Sequence, residues 1–225
     1  MPADRPAIAT PRVASHVIAH LPIAAILILA AALRTWRLGE NGFGRTYYAA
    51  AVRSMMDNWH NFFFNAFDPG GFVSLDKPPL ALWTQMLSAK LIGFHGLAML
   101  LPQVVEGLAA ILIVYLMVGR SFGRAAALVA ALLLAVTPGS VAIDRSNNTD
   151  SCLIVVLLLA AWAGMRAAEG RRAGLLIAAM ALVGLGFNVK MGAAVVLAPT
   201  LALTYFAAER PVAFSRQIAH QAIAA

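Results

Sequence analysis

The 225-residue sequence predicts an all-α fold, a polytopic membrane helical bundle of about six transmembrane helices. Hydrophobic residues make up 61% of the chain and charged residues only 12%, whereas soluble domains are about a quarter charged. Apolar blocks near the roughly 20 residues that a span requires also recur along the chain. They cover residues 16–36, 97–118, 124–143, 151–168, 173–187 and 191–208.

Each block has its own justification. The first follows Arg5 and Arg12, as a secretory signal would, but further apolar blocks come after it, so it is expected to be an uncleaved span. The second carries Glu106 inside it, about 13 Å along the helix at the α-helical rise. A carboxylate at such depth is by default a functional-site hypothesis. The fifth is short, and Asn188-Val189-Lys190 is expected to turn tightly, or partly re-enter, before the sixth. Cys152, the one cysteine, lies in an apolar run and excludes an internal disulfide framework.

The formal charge of +7 does not point to nucleic acid, because the cations are scattered between apolar blocks and form no stripe. They fit the positive-inside rule instead. Arg120, Arg124, Arg166, Arg171, Arg172, Arg210 and Arg216 follow alternate spans, against only Arg145 and Lys190 in the intervening short connections. This predicts a cytoplasmic amino terminus and a multi-pass protein of the cytoplasmic membrane. The expected organisation is a tail over 1–15, a transmembrane domain over 16–208 and a second cytoplasmic tail over 209–225.

The long first connection, residues 37–96, and the 144–150 loop share the outer side and hold six of the ten acidic residues. Within 37–96, Tyr48, Ala51, Val52, Met55, Trp59 and Phe62 recur at helical spacing, as do Leu80, Trp83, Leu87 and Leu91. Two short interfacial helices are expected there, with a small cap packed on the spans as the alternative.

Asp76-Lys77-Pro78-Pro79 makes a rigid charged corner at a helix start. Its ammonium and the free N–H groups of that start suit a phosphate, although the same residues also suit a simple loop-to-helix stop. Residues 144–150 place Asp144, Arg145, Asn147, Asn148 and Asp150 in one polar knot. Asp150 there either caps the next helix or helps take a proton from an acceptor hydroxyl. Lys190 either snorkels to the interface or reaches an anionic headgroup. His60, with Asp57 and Asp76, is a candidate divalent-cation site, and the sequence indicates no other cofactor. No glycine-rich phosphate loop occurs, so a sugar donor is expected to arrive tethered to a lipid.

The ordered series Thr46-Tyr47-Tyr48-Ala49-Ala50-Ala51-Val52-Arg53-Ser54-Met55, Trp59-His60-Asn61-Phe62-Phe63-Phe64, Asp68-Pro69-Gly70-Gly71, Asp76-Lys77-Pro78-Pro79 and Asp144-Arg145-Ser146-Asn147-Asn148-Thr149-Asp150 resembles a bacterial branch of the protein O-mannosyltransferase and aminoarabinose-transferase superfamily, the GT-C glycosyltransferases. The likeness runs from about residue 36 to residue 199. It implies an inverting transfer of a sugar from a polyprenyl phosphate, at the outer membrane face, to a lipid, glycan or protein acceptor. By the same resemblance, Lys77 and Lys190 hold the donor phosphate; Arg145 is a further candidate for that phosphate, and Tyr47, Tyr48, His60 and Asn148 are candidates for the substrate pocket. Many relatives carry an acid where Gly44-Arg45-Thr46 stands here, so the base falls to Asp76, Asp144 or Asp150, with Asp150 expected to activate the acceptor. Relatives have about twice as many spans, so a truncated chain is expected. A fragment of a membrane transporter and a non-catalytic remnant are the rival readings.

Overall fold

The computed structural model describes residues 12–170, 172–208 and 214–224. Residues 1–11 of the expected amino-terminal tail, and Arg171 and Arg210 of the charge pattern, lie outside the described residues. The described chain is helical, with one isolated antiparallel bridge between Ala66 and Ser74. Among the described residues, three helices are long and apolar enough to cross a membrane: α5 (Gly96–Val136), α7 (Asp150–Gly170) and α8 (Ala173–Lys190), with mean hydropathies of 2.2, 1.9 and 1.7.

Helix α1 (Arg12–Thr35) is the first block and packs on α5 through Ile23 and Ala30. Helix α5 is two arms rather than one rod. Gly123, between them, has φ 82° and ψ 172°, a conformation that only glycine adopts without strain. A methyl added at Gly119 would lie 3.3 Å from Ala127 Cβ, and Ile111 shares a core with Ala131 and Ala135. These pairings mirror about residue 123, so the arms fold back as an antiparallel hairpin and reproduce the second and third predicted blocks. The second arm stops at Thr137-Pro138, where proline opens the short α6 (Pro138–Asp144).

The first connection is helical as expected, with two differences of detail. The expected first stripe is cut by Met56-Asp57-Asn58 into α2 (Thr46–Met55) and α3 (Trp59–Phe64). Asn58 caps α3, its side chain accepting from Asn61 N–H at 2.9 Å. In α4 (Leu80–Ile92) the apolar stripe divides along its length: Leu80 and Trp83 pack partly buried, Leu87 is 57% and Leu91 75% exposed, and Ala81, Leu82, Gln85, Met86 and Ala89 face inward. The region has its own core of Tyr48, Val52, Met55, Leu82 and Met86, seated on Ala98 and Met99 at the start of α5. It is a packed cap that also turns Trp59, Phe63 and Phe72 outward.

Helices α7 and α8 form the second hairpin. Helix α8 is 18 residues long and includes Asn188-Val189-Lys190, so the chain turns later than expected, at Met191 with φ 45°. The sixth block is divided into α9 (Gly192–Val195) and α10 (Leu197–Ala207). Leu201 of α10 fits against Gly164 of α7, where a side chain would collide with it. Within the expected carboxy-terminal tail, α11 (Phe214–Ala224) folds back, and His220 shares a 2.7 Å hydrogen bond with the Tyr205 hydroxyl.

Candidate functional site

The polar knot divides into a closed half and an open half. In the closed half, Arg34 of α1 is fully buried and its Nε donates to Asp144 Oδ2 at 2.8 Å. The same guanidinium donates to the Ala135 carbonyl at 2.9 Å and to Ser140 Oγ at 3.0 Å, while Ser151 Oγ donates to Asp144 Oδ1 at 2.7 Å. The Asp144 carboxylate also fills the space where Gly107 has no side chain. A carboxylate with both oxygens engaged and 3% exposure has no face for an acceptor hydroxyl. The enclosure fits Asp144 as a lock between α1, α5 and α7, not as a base.

Two more knot residues are spent on the backbone. Arg145 Nη1 donates to the carbonyls of Leu33 and Arg34 at 3.0 and 3.2 Å, satisfying acceptors that the end of α1 leaves open. This fits a cap on α1 and not a phosphate ligand. Asn148 Oδ1 accepts from Asp150 N–H at 2.8 Å and from Ser151 N–H at 3.4 Å, and its amide donates to Ile143 and Ser146 carbonyls. Asn148 therefore caps α7, the task that position made plausible for Asp150, and its burial sets it apart from a pocket wall. Asn147 grips Arg45 at both its N–H and its carbonyl, tying the cap to the knot.

With the cap supplied by Asn148, the Asp150 carboxylate is free to project from the first turn of α7. It pairs with Lys190 Nζ at the last turn of α8, the two side chains being 34% and 36% exposed. The cation that had no acid near it in sequence thus has one in space. Asp76 and Lys77 form a second pair at 2.5 Å, 54% and 28% exposed. Asn65 Nδ2 donates to the Lys77 carbonyl at 2.6 Å and fixes this corner on the cap. The hydrogen bond that the Lys77 ammonium donates to Asp76 raises it above its ordinary 10.5.

Packing brings the two pairs to one end of the bundle. Ala81, one turn beyond Lys77-Pro78-Pro79, shares a core with Cys152 and Leu153 at the start of α7 and with Val189, next to Lys190. Just below, Thr84 Oγ1 donates to Glu106 Oε1 at 3.2 Å, and Glu106 also meets Cys152. The buried carboxyl seen in the sequence therefore joins α4, α5 and α7 directly under the charged corner.

His60 stands apart. It is exposed on α3 and lies tilted against Phe64 at 4.8 Å between centroids. No group of three His, Cys, Asp or Glu side chains is placed to hold a metal among the described residues, so the expected His60–Asp57–Asp76 site does not assemble. Asp68 of the Asp-Pro-Gly-Gly stretch shapes the loop, accepting from Phe72 and Val73 N–H at 3.2 and 2.7 Å. Those bonds hold its carboxyl below the usual 3.8. Arg34 went unrecognised in the sequence, although a lone Arg near the end of an apolar block was a signal that it needed an acid.

The comparisons with known proteins agree with this architecture. The fold is shared with ArnT from Cupriavidus metallidurans in its apo crystal structure, at a TM-score of 0.69 and 20% identity, over 94% of this chain and 40% of that one. The chain is 42% identical over 185 residues to "Putative mannosyltransferase YycA" and 40% identical over 183 residues to "Putative mannosyltransferase YkcB", both of Bacillus subtilis (strain 168). The alignments take in 82% and 81% of this chain but only 27% and 26% of those proteins, so the chain spans about a quarter of the length of these curated relatives. Residues 76–225, from the Asp76-Lys77 corner onward, match the family described as dolichyl-phosphate-mannose-protein mannosyltransferase. The chain is a multi-pass membrane protein of the GT-C superfamily and belongs to the dolichyl-phosphate-mannose-protein mannosyltransferase family.

Proposed function

We propose that this chain carries the donor-phosphate site and the acceptor-activating acid of a membrane glycosyltransferase that takes its sugar from a polyprenyl phosphate. The observation that carries the reading is the convergence of two half-exposed pairs, Asp76–Lys77 and Asp150–Lys190, on one end of the bundle. Exposed ion pairs contribute about 0–1 kcal/mol, so an incoming phosphate can displace either carboxylate at little cost. Charge-assisted bonds from two ammoniums then hold the phosphate.

The displaced Asp150 carboxylate is the proton acceptor. It takes the hydrogen from an acceptor hydroxyl whose oxygen bonds to the anomeric carbon as the carbon–oxygen bond to phosphate breaks. The electron pair of that bond leaves on the phosphate, where Lys77 and Lys190 stabilise the developing charge, and the anomeric centre inverts. Tyr47 and Tyr48 border the Lys77 side of the space. This chemistry sits at the outer face of the cytoplasmic membrane, with the amino terminus inside.

The test is binding and turnover of a radiolabelled polyprenyl-phosphate mannose by the purified protein. Lys190→Ala and Lys77→Ala are expected to weaken binding, and Lys77→Arg to weaken it less than Lys77→Ala. Unchanged binding in both alanine variants would remove the phosphate role.

A further inference from the structure

A second feature lies at the other end of the same helices. From Asp150 to Gly170, α7 rises about 30 Å, the thickness of a bilayer's hydrocarbon core. At its far end Arg120 of α5, Arg166 and Glu169 of α7, and Arg172 before α8 converge around a cavity of about 210 Å³. Arg120 donates to Glu169 Oε2 at 2.6 Å and Arg166 stands 4.0 Å from the same oxygen. Among the described residues, two guanidiniums thus face the Glu169 carboxylate, and a third, that of Arg172, lines the same cavity.

The cavity continues into a groove of about 400 Å³ running down the α7–α8 face. Its walls are Leu159, Trp162, Ala163, Leu175 and Leu182, with Arg166 and Arg172 at its mouth. Trp162 in that wall has a buried indole N–H with no acceptor among the described residues. A surplus of cations at headgroup depth, opening onto an apolar trough directed toward the bilayer centre, is complementary to an amphiphile with an anionic head.

We infer that this cleft binds a bilayer phospholipid with an anionic headgroup, its phosphate between Arg166 and Arg172 and one acyl chain along Leu159, Trp162 and Leu182. The site is separate from the Lys77 and Lys190 corner, about 30 Å away along α7, so it holds a bilayer lipid and not the sugar donor. Arg172 and Arg166 supply the planar donors that match phosphate oxygens, and Arg120 keeps Glu169 from competing with them.

The experiment is native mass spectrometry of the detergent-purified protein loaded with equal amounts of phosphatidylglycerol and phosphatidylcholine. The expected result is several-fold greater retention of phosphatidylglycerol, lost in an Arg166→Gln/Arg172→Gln double variant and not displaced by millimolar inorganic phosphate. Leu182→Trp, which fills the groove and leaves the cations in place, is expected to reduce retention as well. Equal retention of the two lipids, displacement by inorganic phosphate, or full retention by either variant would overturn the assignment. Absence of any bound lipid would equally overturn it and would indicate that another polypeptide segment occupies the groove.

Discussion

Asp144 and Asp150 are six residues apart in one loop, yet the fold treats them in opposite ways. Asp144 is sealed against a fully buried arginine, with a serine on its second oxygen. Asp150 is held by a lysine at a surface where both partners keep about a third of their exposure. Breaking a buried pair leaves an uncompensated charge and costs about 3–5 kcal/mol, whereas an exposed pair is worth about 0–1 kcal/mol. The first is suited to holding helices together and the second to opening for a ligand. Identical chemistry in sequence is therefore placed in one sealed setting and one open setting, and burial separates the two.

The largest effect is expected from breaking the sealed pair. Asp144→Ala should lower stability by about 3–5 kcal/mol, read as a fall in the thermal unfolding midpoint in detergent. Replacing both partners, Arg34→Met with Asp144→Leu, should recover much of that loss, because no charge is left stranded. A double variant as unstable as the single one would mean that the pair does more than neutralise itself.

At the open corner the expected cost appears in binding rather than folding. Lys77→Ala should weaken polyprenyl-phosphate binding by about 1.5–3 kcal/mol, the worth of a charge-assisted hydrogen bond, with the unfolding midpoint nearly unchanged. Equal shifts in both quantities would erase the distinction between the two regions.

A smaller effect tests the assignment of the cap. Asn148→Ala should cost about 1 kcal/mol of stability through the start of α7, and Asn148→Asp should restore most of it. The unfolding midpoints of the two variants check this, and no rescue by aspartate would mean that the Asn148 amide donors matter more than its oxygen.

The least effect concerns the loop at Asp68, whose folded carboxyl titrates below its ordinary 3.8. Its contribution is therefore fully present above that value and is lost as the pH falls through the lower, folded one. Hydrogen exchange at Phe72 and Val73 should accelerate, relative to the base rate, only in that acidic window. Acceleration already at neutral pH would show that the carboxylate does not hold the loop.

Much of the bundle was legible in the sequence. The α5 hairpin was marked by Gly123 between Arg120 and Arg124, and α7 by its apolar length. The face of α4 was not legible, for a physical reason. Lipid tails are as apolar as leucine, so in a membrane protein a leucine stripe does not identify the core-facing side, and Leu87 and Leu91 point away from it. The candidate site was legible in its residue types but not in its pairings. Lys190 lies 40 residues from Asp150, and Arg34 lies 110 from Asp144. Only the packing of α8 on α7, and of α1 on α5, brings those charges together. The capping role passed from Asp150 to Asn148 because the helix begins at Asp150, leaving the asparagine two residues earlier to reach the first free N–H groups.

The comparison is tested most directly by making the same substitution at both carboxylates and recording sugar transfer beside thermal unfolding. Asp150→Asn is expected to reduce transfer by about 10²–10⁴-fold, the contribution of a general base, while the unfolding midpoint stays near that of the parent. Asp144→Asn is expected to lower the midpoint, and to reduce transfer only in proportion to the folded protein lost. An Asp150→Asn protein with undiminished turnover, or an Asp144→Asn protein that remains fully stable but inactive, would contradict the assignment of reactivity to Asp150 and architecture to Asp144.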